Sequence, residues 1–152
     1  MASSDAFTNE ERLESAKVAL TGGGAAGLIG TLFLLLHRID AVGLNAALAM
    51  AMKGFGAQTF WISSAIAALS GTLFGLTYRY ALRQDTNSQL KGGVVLAFGL
   101  VRGLALVDVA SALYQRLWPF LTAIGESLLL FAVVAALIDW GFSQGWLKRF
   151  AG

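Results

Sequence analysis

The sequence predicts an all-α integral membrane protein, built as a bundle of four transmembrane helices with a short interfacial or re-entrant helix between the first two. Of its 152 residues, 57% are hydrophobic and only 13% are charged, whereas a soluble domain carries about 25% charged residues. Too few polar residues remain to cover a water-exposed surface. The 18 glycines agree with this class, because small residues let helix backbones approach closely in lipid.

Four apolar stretches define the expected spans. The first, Val18 to Leu36, has no charged residue and as a helix is about 28 Å long, close to the thickness of the hydrocarbon layer. The others run from Phe60 to Tyr80, from Gly92 to Ala112 and from Leu117 to Phe142. The apolar stretch Ala41 to Met52 is too short to cross as a helix, so it is assigned to the interfacial or re-entrant helix.

A polar N-terminal segment, 1–17, precedes the membrane domain, 18–142, and a short tail, 143–152, follows it. Thr8 and Glu11 have the spacing of a capping box, in which each side chain binds the backbone amide of the other residue. A helix is therefore expected to start there and to continue into the membrane. The alternative for this segment is a disordered polar tail.

A four-span topology places unequal numbers of lysine and arginine residues on the two sides of the membrane. The poorer side would hold Arg38, Lys53 and Arg116. The richer side would hold Arg12, Lys17, Arg79, Arg83, Lys91, Lys148 and Arg149. Positive residues concentrate on the cytoplasmic side of membrane proteins, so both termini are expected on the richer, cytoplasmic, stromal or matrix-like side.

Arg102 lies at the middle of the third span. A charge at that depth costs at least about 2.5–3.5 kcal/mol, so it should face the bundle interior and have a partner. With a turn near residue 115, Glu126 reaches nearly the same depth on the next helix, and the two are expected to form an ion pair. Asp108 lies closer to the turn, where it either joins this polar interior or is solvated. The pair either specifies helix register or lines a path for a solute or an extended peptide.

Other residues argue against several functional classes. No nucleophile–base arrangement and no phosphate-binding loop is present, so an enzyme is not expected. The chain has no Cys and one His, and His37, beside Arg38 at a span end, is expected to be interfacial rather than a metal ligand. Asp139 near a helix end is expected to snorkel. Neither a metal nor another cofactor is expected, and the net charge of +2 is too small and too scattered for nucleic acid.

Three spans contain Gly-x-x-x-Gly, which places two glycines on one helix face as a groove for a neighbouring backbone. Packing within one chain is the first interpretation, and an interface with another subunit is the alternative. The expected partners are therefore membrane lipid, other membrane-protein subunits and further copies of this chain. The six glycines are Gly23, Gly27, Gly71, Gly75, Gly99 and Gly103.

The loop from Arg79 to Lys91 is clearly hydrophilic, and a set of motif residues flanks it. They are Gly71, Phe74, Asp85, Asn87, Ser88, Gly92, Gly93, Arg102 and Gly103. In this order, the stretch from Gly71 to Gly103 resembles the mitochondrial and plastid preprotein and amino-acid transporter family, which includes channel subunits of the inner-membrane translocases. The resemblance covers about a fifth of the chain. It departs from the family pattern at Ala81, where the family has Arg.

This resemblance implies a four-span, translocase-like or channel-type subunit that aids movement or insertion of a polypeptide or small solute. Arg102, Glu126 and Asp108 would form its polar interior. Partners would dock on the loop residues Arg79, Arg83, Asp85, Asn87 and Lys91. The loop and the run Leu100 to Gly103 are also similar to small membrane proteins of cyanobacteria and plastids, which implies a photosynthetic membrane such as the thylakoid.

The alternative function is a non-catalytic accessory or assembly subunit of a larger membrane complex. One structural feature distinguishes the two. A sealed Arg102–Glu126 pair between tightly packed helices favours the accessory role, whereas an open polar groove favours transport.

Overall fold

The computed structural model describes residues 8–85, 87–107 and 117–150. In this part of the chain all the regular elements are α-helices, which confirms the all-α class. The helices are α1 Asn9–Val42, α2 Leu44–Met52, α3 Gly54–Leu82, α4 Ser88–Ala105 and α5 Leu117–Ser143.

Three of these helices, α1, α3 and α5, are long and apolar enough to cross a membrane, in agreement with the predicted membrane class. Helix α4 is not among them, because Lys91 and Arg102 lower the mean hydropathy of its 18 residues. It is nevertheless about 27 Å long at the helical rise. The rest of the predicted third span, 108–112, lies outside the described residues, as do Asp108 and Arg116, so the four-span count stays a prediction.

The start of α1 and the junction between α1 and α2 have the capping residues expected at helix ends. The capping box is formed, with Thr8 Oγ1 accepting from the Glu11 amide at 3.2 Å and Glu11 Oε2 accepting from the Thr8 amide at 3.3 Å. Gly43 has φ +80° and separates α1 from α2, a conformation that glycine adopts without a steric penalty. The short helix therefore begins at Leu44 rather than at the predicted Ala41.

Helices α1 and α3 pack antiparallel through their glycines. Gly22 lies against Gly71, and Val18 lies against Gly75, so closely that a Cβ atom on either α3 glycine would collide with the α1 backbone. Gly27 on α1 faces Ala68 in the same register. These Gly-x-x-x-Gly faces are thus occupied by the partner helix within the chain.

Helices α4 and α5 form a second antiparallel pair. Gly99 packs on Leu128 and Gly103 packs on Ile124. The two pairs meet around a core in which Phe74 of α3 contacts Phe98 of α4 and Phe131 of α5, with ring centroids 5.4 and 4.9 Å apart.

The two ends of the bundle differ. At one end, here named the basic end, the start of α1, the end of α3 and the segment after α5 are joined by hydrogen bonds from Arg79 to Ser15 Oγ and to the Lys148 carbonyl. The opposite end, named the cavity end, contains the end of α1, the start of α3 and the start of α5. The start of α1 and the segment after α5 therefore lie at the same end of the bundle, and the side of the membrane that this end faces stays a prediction.

Candidate functional site: a polar cavity between four helices

A cavity of about 310 Å³ opens at the cavity end between α1, α3, α4 and α5. Each helix contributes a polar side chain to its lining: His37 from α1, Ser63 from α3, Arg102 from α4, and Glu126 and Ser127 from α5. The antiparallel register of α4 and α5 brings Arg102 and Glu126 to similar depth, as predicted. Both predicted residues therefore line one cavity.

Arg102 and Glu126 do not form the predicted ion pair. Glu126 Oε1 lies 3.0 Å from His37 Nε2, and the Arg102 guanidinium donates from Nη1 to Ser70 Oγ at 3.4 Å. Helix register places the two residues at one depth, but the rotation of each helix about its axis directs their side chains to different neighbours. Asp108, the third predicted member of the polar interior, lies outside the described residues.

A double-mutant cycle tests this correction. We expect the effects of Arg102→Leu and Glu126→Gln on stability to add within about 0.5 kcal/mol, as for groups that do not interact. A buried ion pair would behave differently, because losing one partner strands the other at about 3–5 kcal/mol, and the second change would restore most of that. Thermal unfolding in detergent of both single variants and the double variant measures the coupling, and substantial recovery in the double variant would contradict the structure.

Arg79 is not on the loop surface. Its side chain is 2% exposed, donates from Nη1 to Ser15 Oγ at 2.6 Å and from Nε to the Lys148 carbonyl at 3.0 Å, and contacts the rings of Tyr80 and Phe150. The prediction that Arg79 docks partners is therefore wrong, because helix α3 continues to Leu82 and turns this residue into the bundle.

The other loop residues also have contacts within the chain. Lys91 Nζ lies 2.5 Å from Asp139 Oδ2, so Asp139 is paired rather than snorkelling to the surface. Asn87 caps α4 by accepting from the Gln89 amide at 2.9 Å, and Asp85 accepts from the Asn87 amide at 2.9 Å. Arg83 is exposed and its guanidinium lies over the Phe150 ring. A docking role for these residues stays a prediction.

Sequence reasoning missed three of the residues that line the cavity or contact Arg102. His37 was expected only to lie at the membrane–water interface, but its Nε2 is also 3.0 Å from Glu126 Oε1. Ser127 is adjacent in sequence to Glu126, and Ser70 is adjacent in sequence to Gly71. Serine and threonine are common within membrane helices, so the sequence alone does not indicate which of them face a cavity.

The lining can bind and orient a polar group but has no set of metal ligands. No cluster of three or more His, Cys, Asp or Glu side chains occurs within residues 8–85, 87–107 and 117–150. Its chemistry consists of one guanidinium, a His–Glu pair and hydroxyl groups. Such groups recognise a ligand by charge and hydrogen bonds.

The fold and this site define a helical membrane-type protein with a polar cavity that opens at one end of the bundle. No protein-family model matches the chain, and no curated protein and no solved structure matches it either. The resemblance to the translocase family therefore rests on the residues between Gly71 and Gly103, and its functional consequences are proposals.

Proposed function

We propose that this protein is a translocase-like or channel-type membrane subunit that aids the movement or insertion of a polypeptide or small solute. The observation that carries the proposal is the open polar cavity around Arg102, in place of a sealed Arg102–Glu126 pair. A polar recess within the membrane lowers the free-energy cost of placing a hydrophilic segment or solute at that depth.

The position of the cavity supports this function. In the four-span arrangement α4 crosses with the other three long helices, the basic end faces the positive side of the membrane, and the cavity opens on the opposite side. One helical turn beyond Arg102 and Ser127, Phe98 and Phe131 pack against Phe74 with centroid separations of 5.4 and 4.9 Å. These three rings, here named the aromatic layer, lie on the basic-end side of Arg102 and Ser127 and are not among the residues that line the cavity.

An accessory or assembly subunit is the second candidate, and the aromatic layer is the observation that favours it. This layer places apolar rings next to the cavity on its basic-end side, as expected of a bundle that does not conduct. In that role the cavity would hold a segment of a neighbouring subunit, and the closely packed helices α1 and α3 would give the complex a rigid support.

Thiol labelling tests whether water fills the cavity. The chain has no cysteine, so single cysteines can replace Ser63, which lines the cavity, Ser64, which is buried, or Ile62, which is exposed on the apolar surface. We expect a membrane-impermeant thiol reagent to modify Ser63→Cys at least about tenfold faster than either neighbour, because the reactive thiolate forms only where water reaches it. Equal rates at the three positions would contradict a water-filled cavity.

Site-specific photo-crosslinking in the native membrane tests the function itself. A benzoylphenylalanine at Leu34 would lie in the cavity lining, and the matched probe at Leu28, on the same helix and 76% exposed, would face lipid. We expect ribosome-bound or precursor polypeptides to crosslink to the Leu34 probe and not to the Leu28 probe. Crosslinking of Leu34 to one stoichiometric folded subunit would replace the translocase proposal with the accessory role.

A further inference from the structure

The hydroxyl of Ser127 is buried without a hydrogen-bond partner. The residue is 2% exposed, it lines the cavity, and its Oγ has no partner within the described part of the chain. Hydroxyls on membrane helices ordinarily donate to the carbonyl of the preceding turn, as those of Thr31, Ser64 and Thr72 do here. A polar group that departs from this pattern in a buried site is costly unless something else binds it.

Arg102 supplies a second incompletely satisfied group in the same cavity. Its hydrogen bond to Ser70 is long, at 3.4 Å, and no carboxylate of the described residues lies within ion-pair distance of it. The guanidinium packs beside Gly30, and a Cβ atom added there would lie 3.9 Å from Arg102 Nη2. A guanidinium has five N–H donors, and Ser70 Oγ is the acceptor that the described residues provide for it.

We infer that the cavity is a binding site for a monoanionic oxyanion, of which a small carboxylate is the typical form. The Arg102 guanidinium matches the two oxygens of such a group, and the Ser127 hydroxyl donates a further hydrogen bond. The Glu126 carboxylate, 3.0 Å from His37 Nε2, repels a dianion about twice as strongly as a monoanion, so the lining favours a ligand with a single negative charge. The volume of about 310 Å³ suits a small ligand.

This inference rests on the proposed function, because it uses the same cavity, and goes beyond it by naming the charge and the recognised group. A monoanionic oxyanion has two sources in a membrane: a free carboxylate from the aqueous phase, and the phosphodiester of an anionic lipid headgroup. Both present oxygens to a guanidinium in a similar way.

Calorimetric titration of the purified full chain in phosphatidylcholine nanodiscs tests the inference with benzoate as the probe and neutral benzamide as its matched control. We expect benzoate to bind and benzamide not to bind. Repeating the titration with phosphatidylglycerol in the nanodisc distinguishes the sources. Unchanged benzoate binding assigns the site to a free carboxylate, and loss of benzoate binding assigns it to the lipid phosphodiester.

Three variants connect binding to the named groups. We expect Arg102→Gln to weaken benzoate binding at least about tenfold and Ser127→Ala to weaken it about threefold, as for the loss of a charged and of a neutral hydrogen-bond donor. Arg83→Gln, an equal change of charge at the basic end, should leave it unchanged. Ser127→Ala removes an unpartnered hydroxyl and keeps the fold, so it remains informative if Arg102→Gln does not fold.

Equal affinity for benzoate and benzamide, no benzoate binding in phosphatidylcholine, or wild-type affinity in both Arg102→Gln and Ser127→Ala would overturn the inference. These outcomes are independent of the proposed function. Labelling at Ser63 and crosslinking at Leu34 report on water access and on polypeptide cargo, and neither depends on anion binding.

Discussion

Arg79→Met is expected to destabilise the protein by about 3–5 kcal/mol, through the loss of two hydrogen bonds from a buried charged donor, each worth about 1.5–3 kcal/mol. Arg79 is 2% exposed and joins Ser15 of α1 to the Lys148 carbonyl of the C-terminal segment. Methionine keeps much of the side-chain volume but leaves both acceptors without this donor. The segment after α5 should then open more readily, because its hydrogen bond to Arg79 is gone and only its bond to Glu14 and the packing of Leu147 and Phe150 remain.

Thermal unfolding in detergent and limited proteolysis of the C-terminal segment measure this effect. Arg12→Met is the matched control, because Arg12 is exposed on α1 near the same end of the bundle. Arg79→Lys should rescue little, since a lysine has no planar fork with which to reach two acceptors at once. Equal stability of Arg79→Met and Arg12→Met would show that the buried guanidinium does not hold the basic end together.

Gly71→Val is the second substitution for which we expect a large effect. A Cβ atom at Gly71 would collide with the Gly22 carbonyl and with Ala26, and the opposing group is backbone, which cannot rotate away. The two helices must separate or shift, and overpacking of this kind typically costs about 1–3 kcal/mol, occasionally more. We expect the upper end of that range, because the contact between α1 and α3 is a close approach of two backbones without side chains between them.

Gly24→Val provides the control for Gly71→Val. Gly24 lies on α1, two residues from Gly22, and its added Cβ would meet nothing within 4 Å. The two variants therefore make the same change in helix propensity and hydrophobicity but differ in packing. If both lower the unfolding temperature equally, the loss comes from helix propensity and the α1–α3 contact contributes little.

The Gly-x-x-x-Gly faces pack within the chain, whereas the cavity has polar groups that can bind a ligand. The faces centred on Gly71 and Gly99 are occupied within the chain, so they offer no groove for a second subunit in this arrangement. The cavity has a guanidinium whose hydrogen bond to Ser70 is long, at 3.4 Å, and a buried hydroxyl without a partner among the described residues. An unsatisfied donor set in a low-dielectric site favours a ligand or cargo over a purely architectural role.

Length and composition were sufficient to establish an all-α protein of the membrane type and the positions of three candidate spans. The reason is local: a run such as Val18 to Leu36 is long enough to span the membrane, and it can satisfy its backbone hydrogen bonds within itself only as an α-helix. The capping box at Thr8 and Glu11 is equally local and is formed as predicted. Even the equal depth of Arg102 and Glu126 follows from counting residues on either side of one turn.

The pairing of side chains was decided by tertiary structure. Residue counting gives the depth of a side chain along a helix, but its direction depends on how that helix is rotated about its axis, and packing against every neighbouring helix sets that rotation. For this reason Glu126 contacts His37 instead of Arg102, and Arg79 points into the bundle instead of toward a partner. The same rotation brings Arg102 and Ser127 into one cavity, a juxtaposition of two helices that neither stretch of sequence contains.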